Sequence, residues 1–399
     1  MKTEQHLTAE EEFGSKERML RTLEGEPVDR IPVLPPFRWT PWDSVEDPNL
    51  PNWRKTKNYR IILKAVEQHC DFRVRTKCLA YLSQYISILA PPSCVRIEDR
   101  KTERGTCTTT LVHTPKGVLR REEIEEEGFS LDHKWQKEVL VKDTTDAEKL
   151  LTLKDDFESP DFSALEKEVE RIGSRGLLTF QVPSPILVAS EVMNFGTFLE
   201  WTLTEKVLLE RMIDTACQRI YNRLETVLRS GLIPLVRFGG MEQATPPMMS
   251  SKLFDDLVVK YDRILYDLVH RRGAFVQVHC HGRVKNILEK LIEIGVDALD
   301  PVEPPPHGDV EIGEAKSIVD GKMTLVGNIE YQDLELGTPE EIDRKVREAI
   351  TSERKDHFML HPSAMIFAHI SDRHRDNILQ YIESGIRYGA MDNGSAKGV

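Results

Sequence analysis

The feature that most constrains the fold of this 399-residue chain is a rhythm. Short apolar stretches read as buried strands, and each is followed by a loop and then by a stretch with helical spacing. The strand candidates are Ile31–Leu34, 70–74, 177–182, 233–238, 274–279, 296–300, 323–326 and 358–360. Between them run amphipathic segments, among them 58–69, 191–201, 205–230, 252–270, 284–294, 311–319 and 374–388. Thr338-Pro339-Glu340-Glu341 marks another helix start, with Thr as cap, Pro at the first position and acids in the first turn. Apolar strands alternating with helices are parallel βαβ units. About eight of them predict an α/β chain folded as a (β/α)8 TIM barrel. A doubly wound sheet is the runner-up, set back because no Gly-x-Gly-x-x-Gly follows a strand.

Three stretches break the rhythm. Residues 1–15 form an acidic lead, and Pro35–Trp42 packs three Pro and two Trp around Arg38. That rigid loop is either a substrate lid with Arg38 facing an anion or an N-terminal wrap. Residues 94–143 are β-prone, with Thr114-Pro115-Lys116-Gly117 as a hairpin turn, and predict an antiparallel β-rich insertion. The acidic run Glu122–Glu127 reads as a solvated face. We read 16–395 as one domain carrying this insertion. A net charge of −12 argues against nucleic acid and anionic membranes as partners. No run of about 18 apolar residues exists. The N-terminus lacks the apolar centre of a signal peptide. The six Cys show no C-x-x-C pair and read as reduced thiols in a cytosolic protein.

In a barrel, chemistry collects in the loops after the strands. Those loops hold Arg237 and Glu242, His279 and His281, Glu303 and His307, Asn328, and His361. The centre of this set is Phe275-Val276-Gln277-Val278-His279-Cys280-His281-Gly282. Alternate strand residues share a face, so His279 and His281 point one way and Cys280 the other. Two imidazoles at a strand end form half of a metal site. Cys280 is expected to be an inert packing thiol.

The chain resembles the uroporphyrinogen decarboxylase superfamily, which includes zinc-dependent corrinoid methyltransferases. The resemblance runs over about residues 16–390. It rests on Arg18-Met19-Leu20, Gly25-Glu26-Pro27-Val28-Asp29-Arg30-Ile31-Pro32-Val33, His279-Cys280-His281-Gly282, Gly295-Val296-Asp297-Ala298-Leu299, Gly327-Asn328-Ile329 and Gly337-Thr338-Pro339-Glu340-Glu341. It implies a (β/α)8 barrel with its site at the C-terminal mouth. The true decarboxylase carries an Arg-rich N-terminal loop that grips porphyrinogen carboxylates, and the matching loop here has only Arg38. The methyltransferases carry His-x-Cys where this chain reads His279-Cys280-His281. They carry a further Cys after the last strand, where this chain reads His361-Pro362-Ser363-Ala364. His281 thus takes the place of one thiolate and Ala364 of the other. The insertion also looks like the methyltransferase side.

The resulting expectation is a metal site of His279, His281 and Glu242, holding zinc or another divalent metal. Glu242 is alternatively a salt-bridge partner of Arg237. Glu303 is the alternative ligand or a general base, and with His307 it is otherwise a rigid, solvated loop. His361 is ligand, proton donor or packing. Asn328 contacts substrate or shapes a turn, and Arg38, Arg237 and His307 complete the substrate contacts. The resemblance implies methyl transfer between a small molecule and a corrinoid, either free or on a carrier protein. The alternatives are a cofactor-independent decarboxylase, with Arg38 and Arg237 holding carboxylates, and a non-catalytic corrinoid- or tetrapyrrole-binding protein. A homodimer is compatible with the sequence.

Overall fold

The computed structural model describes residues 12–38, 52–126, 134–366 and 369–391. The acidic lead therefore falls almost wholly outside the described residues, as do 39–42 of the Pro/Trp loop and the C-terminal tail. Eleven strands appear among the described residues, numbered in chain order. They are β1 (Phe72–Arg75), β2 (Val95–Thr102), β3 (Gly105–Thr114), β4 (Gly117–Glu126), β5 (Lys134–Glu138), β6 (Gly176–Pro183), β7 (Leu235–Gly239), β8 (Phe275–His279), β9 (Ala298–Asp300), β10 (Thr324–Ile329) and β11 (Phe358–Pro362). β1 and β6 to β11 are the parallel strands, and β2 to β5 form a separate antiparallel sheet. The architecture is thus mixed α/β, of the parallel-barrel type with a β insertion. The chain packs as two compact units, one from Met1–Arg75, Lys167–Thr179 and Phe275–Val399, the other from Thr76–Glu166 and Phe180–Ala274.

In the first unit the parallel register is short and regular. β1 aligns Phe72 with Gly176 of β6, and β8 aligns His279 with Asp300 of β9. β10 aligns Leu325 with Leu299 of β9 and Asn328 with His361 of β11. The expected first strand, Ile31–Leu34, is reduced to a single parallel bridge from Val33 to Leu360. The cause is proline: Pro32, Pro35 and Pro36 bring no N–H to a ladder. The segment nonetheless lies between its neighbours. Leu34 N donates to Leu360 O, Leu360 N to Pro32 O, and Asp71 N to Val33 O. Fully buried Ile31, Val33, Val326, Leu325, Leu360, Val276 and Val278 make the core that fixes these strands. The helix Pro339–Thr351 begins as its sequence dictates. Thr338 and Glu341 form a reciprocal capping box, each side chain accepting the other's backbone N–H.

The second unit holds the insertion, placed as expected, with the Thr114–Gly117 hairpin joining β3 and β4. β5 closes the insertion at Glu138, because the chain already turns at Leu140 toward the helix Thr144–Leu150. The helix expected over 191–201 starts later, at Phe195, and a further short helix precedes it. Pro185–Ser190 and Phe195–Thr204 are separate helices, and Asn194 caps the second through a bond from Gly196 N. The segment expected as one helix over 252–270 contains a π-helical turn, Asp255–Val259. None of the six cysteines forms a disulfide. No described helix is long and apolar enough to cross a membrane.

Candidate functional site

The two histidines stand at the end of β8 as the strand alternation requires. Their ring centroids are 4.6 Å apart and nearly perpendicular, while Cys280 between them is fully buried. Each imidazole is held by a carboxylate from the next strand exit. His279 Nδ1 contacts Asp300 Oδ1 and lies 3.0 Å from the Asp300 carbonyl. His281 Nδ1 lies 2.9 Å from Glu303 Oε1, and Gly282 N donates to Glu303 Oε2 at 2.7 Å. An ionised carboxylate only accepts, so each Nδ1 carries a proton, and in the neutral ring Nε2 then bears the lone pair. This carboxylate–imidazole pairing is the pattern that orients histidines for metal ligation.

Asp300 is the better buried of the two carboxylates, with its side chain 2% exposed. Its second oxygen accepts from Arg73 of β1 at 2.8 Å and from Gln277 of β8 at 3.0 Å. Burial alone would raise the Glu303 pKa. The bonds from His281 and Gly282, with the charges of His281 and His307, outweigh it and hold the carboxyl below its usual value. Glu330 shows the opposite balance. Burial and the nearby charge of Glu303 raise its pKa, against smaller lowering effects from His307 and Ser363. His307 Nδ1 lies 3.1 Å from Glu330 Oε2, and Glu330 Oε1 is buried with no hydrogen-bond partner. Ser363 Oγ accepts from Tyr331 N and so ties the exit of β11 to that of β10.

The structure thus gathers His279, His281 and Glu303 at one place, with Asp300 behind them. It pairs His307 with Glu330 rather than with substrate-facing space alone. Asn328 and His361 are buried register neighbours on β10 and β11, so Asn328 lies in a strand and not in a turn. Arg38 is exposed at the edge of the described residues and its carbonyl accepts from Arg54. Arg237 and Glu242 belong to the second unit, on β7 and on the 3-10 turn Met241–Ala244. There Glu242 Oε2 is buried without a hydrogen-bond partner. Burial raises the pKa of Glu191, and the charges of Glu123 and Glu242 raise it further against Arg121. Among the described residues, no group of three or more His, Cys, Asp or Glu is assembled to hold a metal ion.

Asp300, Arg73, Gln277, Glu330 and Ser363 were not singled out by sequence. Their signals were nonetheless present. Asp300 is an acid that directly follows the apolar pair Ala298-Leu299 at a strand end, and Arg73 is a cation inside an apolar strand. Neither residue type is buried without a partner.

Strands β8 to β11 run in parallel and carry His279, Asp300, Asn328 and His361 at or next to their ends, which defines the class as an α/β barrel enzyme-type fold. A family model described as uroporphyrinogen decarboxylase (URO-D) matches residues 136–382, more than half of the chain, and the chain belongs to that family. Among solved structures, a methyltransferase from Methanosarcina mazei is similar at 17% identity. It covers 94% of this chain and 99% of its own, with a TM-score of 0.57. A B12-independent methionine synthase from Shewanella sp. W3-18-1, bound to selenomethionine, is 10% identical. It covers 90% of this chain and 96% of its own, with a TM-score of 0.41. No functionally curated protein matches the sequence.

Proposed function

We propose that this chain is a methyltransferase-like enzyme. In this reading His279 and His281 bind a divalent metal, zinc first, through Nε2, and the methyl group moves between a small molecule and a corrinoid carried by a partner protein. One observation carries the metal part: two adjacent imidazoles, each with Nδ1 held by a carboxylate, so that both Nε2 atoms are acceptors. The methyl-transfer part is supported by the His-x-His at the strand where methyltransferases of the superfamily carry His-x-Cys, and by the shared fold.

When bound, the metal would supply Lewis acidity toward a substrate oxygen, nitrogen or sulfur. The chain's own residues supply the rest. Asp300 and Glu303 hold the two rings in place. Glu303 is engaged on the Nδ1 side of His281, which makes it an orienting group in this structure. Glu330 keeps its proton to higher pH than an ordinary carboxyl, which suits it to protonate a leaving atom, with His307 as its relay. Asn328 and His361, side by side at the ends of β10 and β11, are proposed substrate contacts. Arg38 is a proposed contact for an anionic substrate group, and Arg237 of the second unit is proposed separately as an anion-binding cation.

The test is elemental analysis and Zn2+ titration of the purified protein. Wild type is expected to take up one ion, and His281→Ala to lose it while keeping its circular dichroism spectrum. Full occupancy in that variant would remove His281 from the site. Titration with uroporphyrin is expected to show no tight binding, whereas a corrinoid or its carrier domain binds measurably. Tight uroporphyrin binding that weakens in Arg38→Ala would favour the decarboxylase reading instead.

A further inference from the structure

We propose that Arg73 and Gln277 are positioning residues that act through Asp300 to set the tautomer of His279 and the aim of its Nε2. The inference deepens the metal-site reading above, but its first step concerns only the ring and holds without a metal.

Asp300 ends β9 with its side chain almost wholly buried, so its orientation is decided by protein partners and not by water. Arg73 Nη1, from β1, donates to Oδ2 at 2.8 Å, and Gln277 Nε2, two residues before His279, donates to the same oxygen at 3.0 Å. Two donors on Oδ2 pin the carboxylate plane and turn Oδ1 toward His279 Nδ1. The Asp300 carbonyl, 3.0 Å from the same nitrogen, adds a second acceptor there. A ring nitrogen facing two acceptors must carry the proton. The tautomer of His279 is therefore written by a cation on a different strand. Arg73 is the informative member, because it reaches Asp300 from a different strand and its side chain is only 11% exposed. His281 lacks such a backing. Its carboxylate is steadied by one backbone N–H, and its side chain is 42% exposed. The two rings are thus unequal, one locked from behind and one held from a loop.

This arrangement makes an unusual forecast for Asp300→Asn. Arg73 and Gln277 both donate to the Oδ2 position, so the amide oxygen of the new side chain must settle there. Its NH2 then faces His279 Nδ1 and donates to it. Nδ1 becomes the acceptor and the proton moves to Nε2, leaving no lone pair for a ligand. A similar wrong-tautomer outcome is known when an orienting Asp is replaced by Asn.

The experiment is long-range 15N imidazole spectroscopy on the metal-free full chain, with the His279 signals assigned by their loss in His279→Gln. Zn2+ affinity is read separately by competition with a chromogenic chelator. Wild type is expected to show His279 protonated at Nδ1. Asp300→Asn is expected to show it protonated at Nε2, and Arg73→Met a mixture of both forms. Zn2+ affinity should fall roughly 10–100-fold in each, and Arg73→Lys should restore the wild-type spectrum. An unchanged single Nδ1–H form in both Asp300→Asn and Arg73→Met overturns the proposal. If the tautomers shift as forecast while wild type takes up no Zn2+, the positioning role stands and the metal reading falls.

Discussion

At the scale of single residues, the chain shows how the same acid behaves differently as its partners change. Glu303 sits beside donors and stays ionised below the usual carboxylate range, while Glu330, a short way along, is crowded by that same charge and holds its proton longer. Asp262, in the second unit, is paired with no cation among the described residues. Burial pushes its pKa up to about 7, against the hydrogen bonds from Ser184 and Tyr266. The unfolded chain releases this proton near the ordinary Asp pKa, so between roughly pH 4 and pH 7 the native state holds one proton more. Its contribution to stability is therefore fully present below pH 4 and is lost as pH rises through about 7. Asp262→Asn, which cannot ionise, is expected to unfold with little of this slope and to gain on wild type above pH 7. Urea melts at pH 5 and pH 8 check it. A wild-type stability that rises across this window through Asp262 would contradict the assignment.

At the scale of elements, Glu303 in the loop between β9 and the next helix, Ile312–Val319, is met by two glycines, Gly282 from the exit of β8 and Gly308 from within the loop. Gly282 has φ +84° and offers its N–H to Glu303; a side chain there meets no neighbour, so the cost of Gly282→Ala is backbone strain of about 1–2 kcal/mol. Gly308 is limited by space instead. A Cβ on it would sit 1.9 Å from the Glu303 carbonyl oxygen. Gly308→Ala is expected to push the Pro301–Gly308 loop away, to cost about 1–3 kcal/mol, and to weaken Zn2+ uptake through His281. Wild-type stability together with wild-type uptake would show that the loop absorbs the methyl group. The elements themselves were largely legible. Apolar periodicity gave seven of the eight parallel strands, and the Thr338–Glu341 capping signature marked its helix to the residue. What failed to show was pairing between elements. Nothing in Phe72-Arg73-Val74 says that Arg73 meets an acid more than 200 residues away, because that contact is made by the register of strands and not by local spacing. The His pair was legible because both members lie within three residues of one strand end.

At the scale of the whole molecule, membership of the URO-D family and the alternation of strands and helices agree on one architecture. The prolines that trimmed the first expected strand leave a mark on it. The stretch Ile31–Leu34 is stitched to its neighbours by four backbone bonds, Asp71 Oδ2 accepts from Val33 N, and a buried phenol adds a further tie. Tyr381 OH lies 2.8 Å from Leu34 O and 3.1 Å from Leu360 O. Where a ladder is thin, the molecule has a seam, and seams are where closed structures breathe. In Tyr381→Phe the amides of Leu34 and Leu360 should exchange with deuterium well before those of Val278 and Leu299, with a stability cost of about 1–3 kcal/mol. Uniform exchange across all four would mean the closure is held elsewhere. If the seam does open first, the N-terminal segment is a zip fastener whose slider is one hydroxyl group on the last helix.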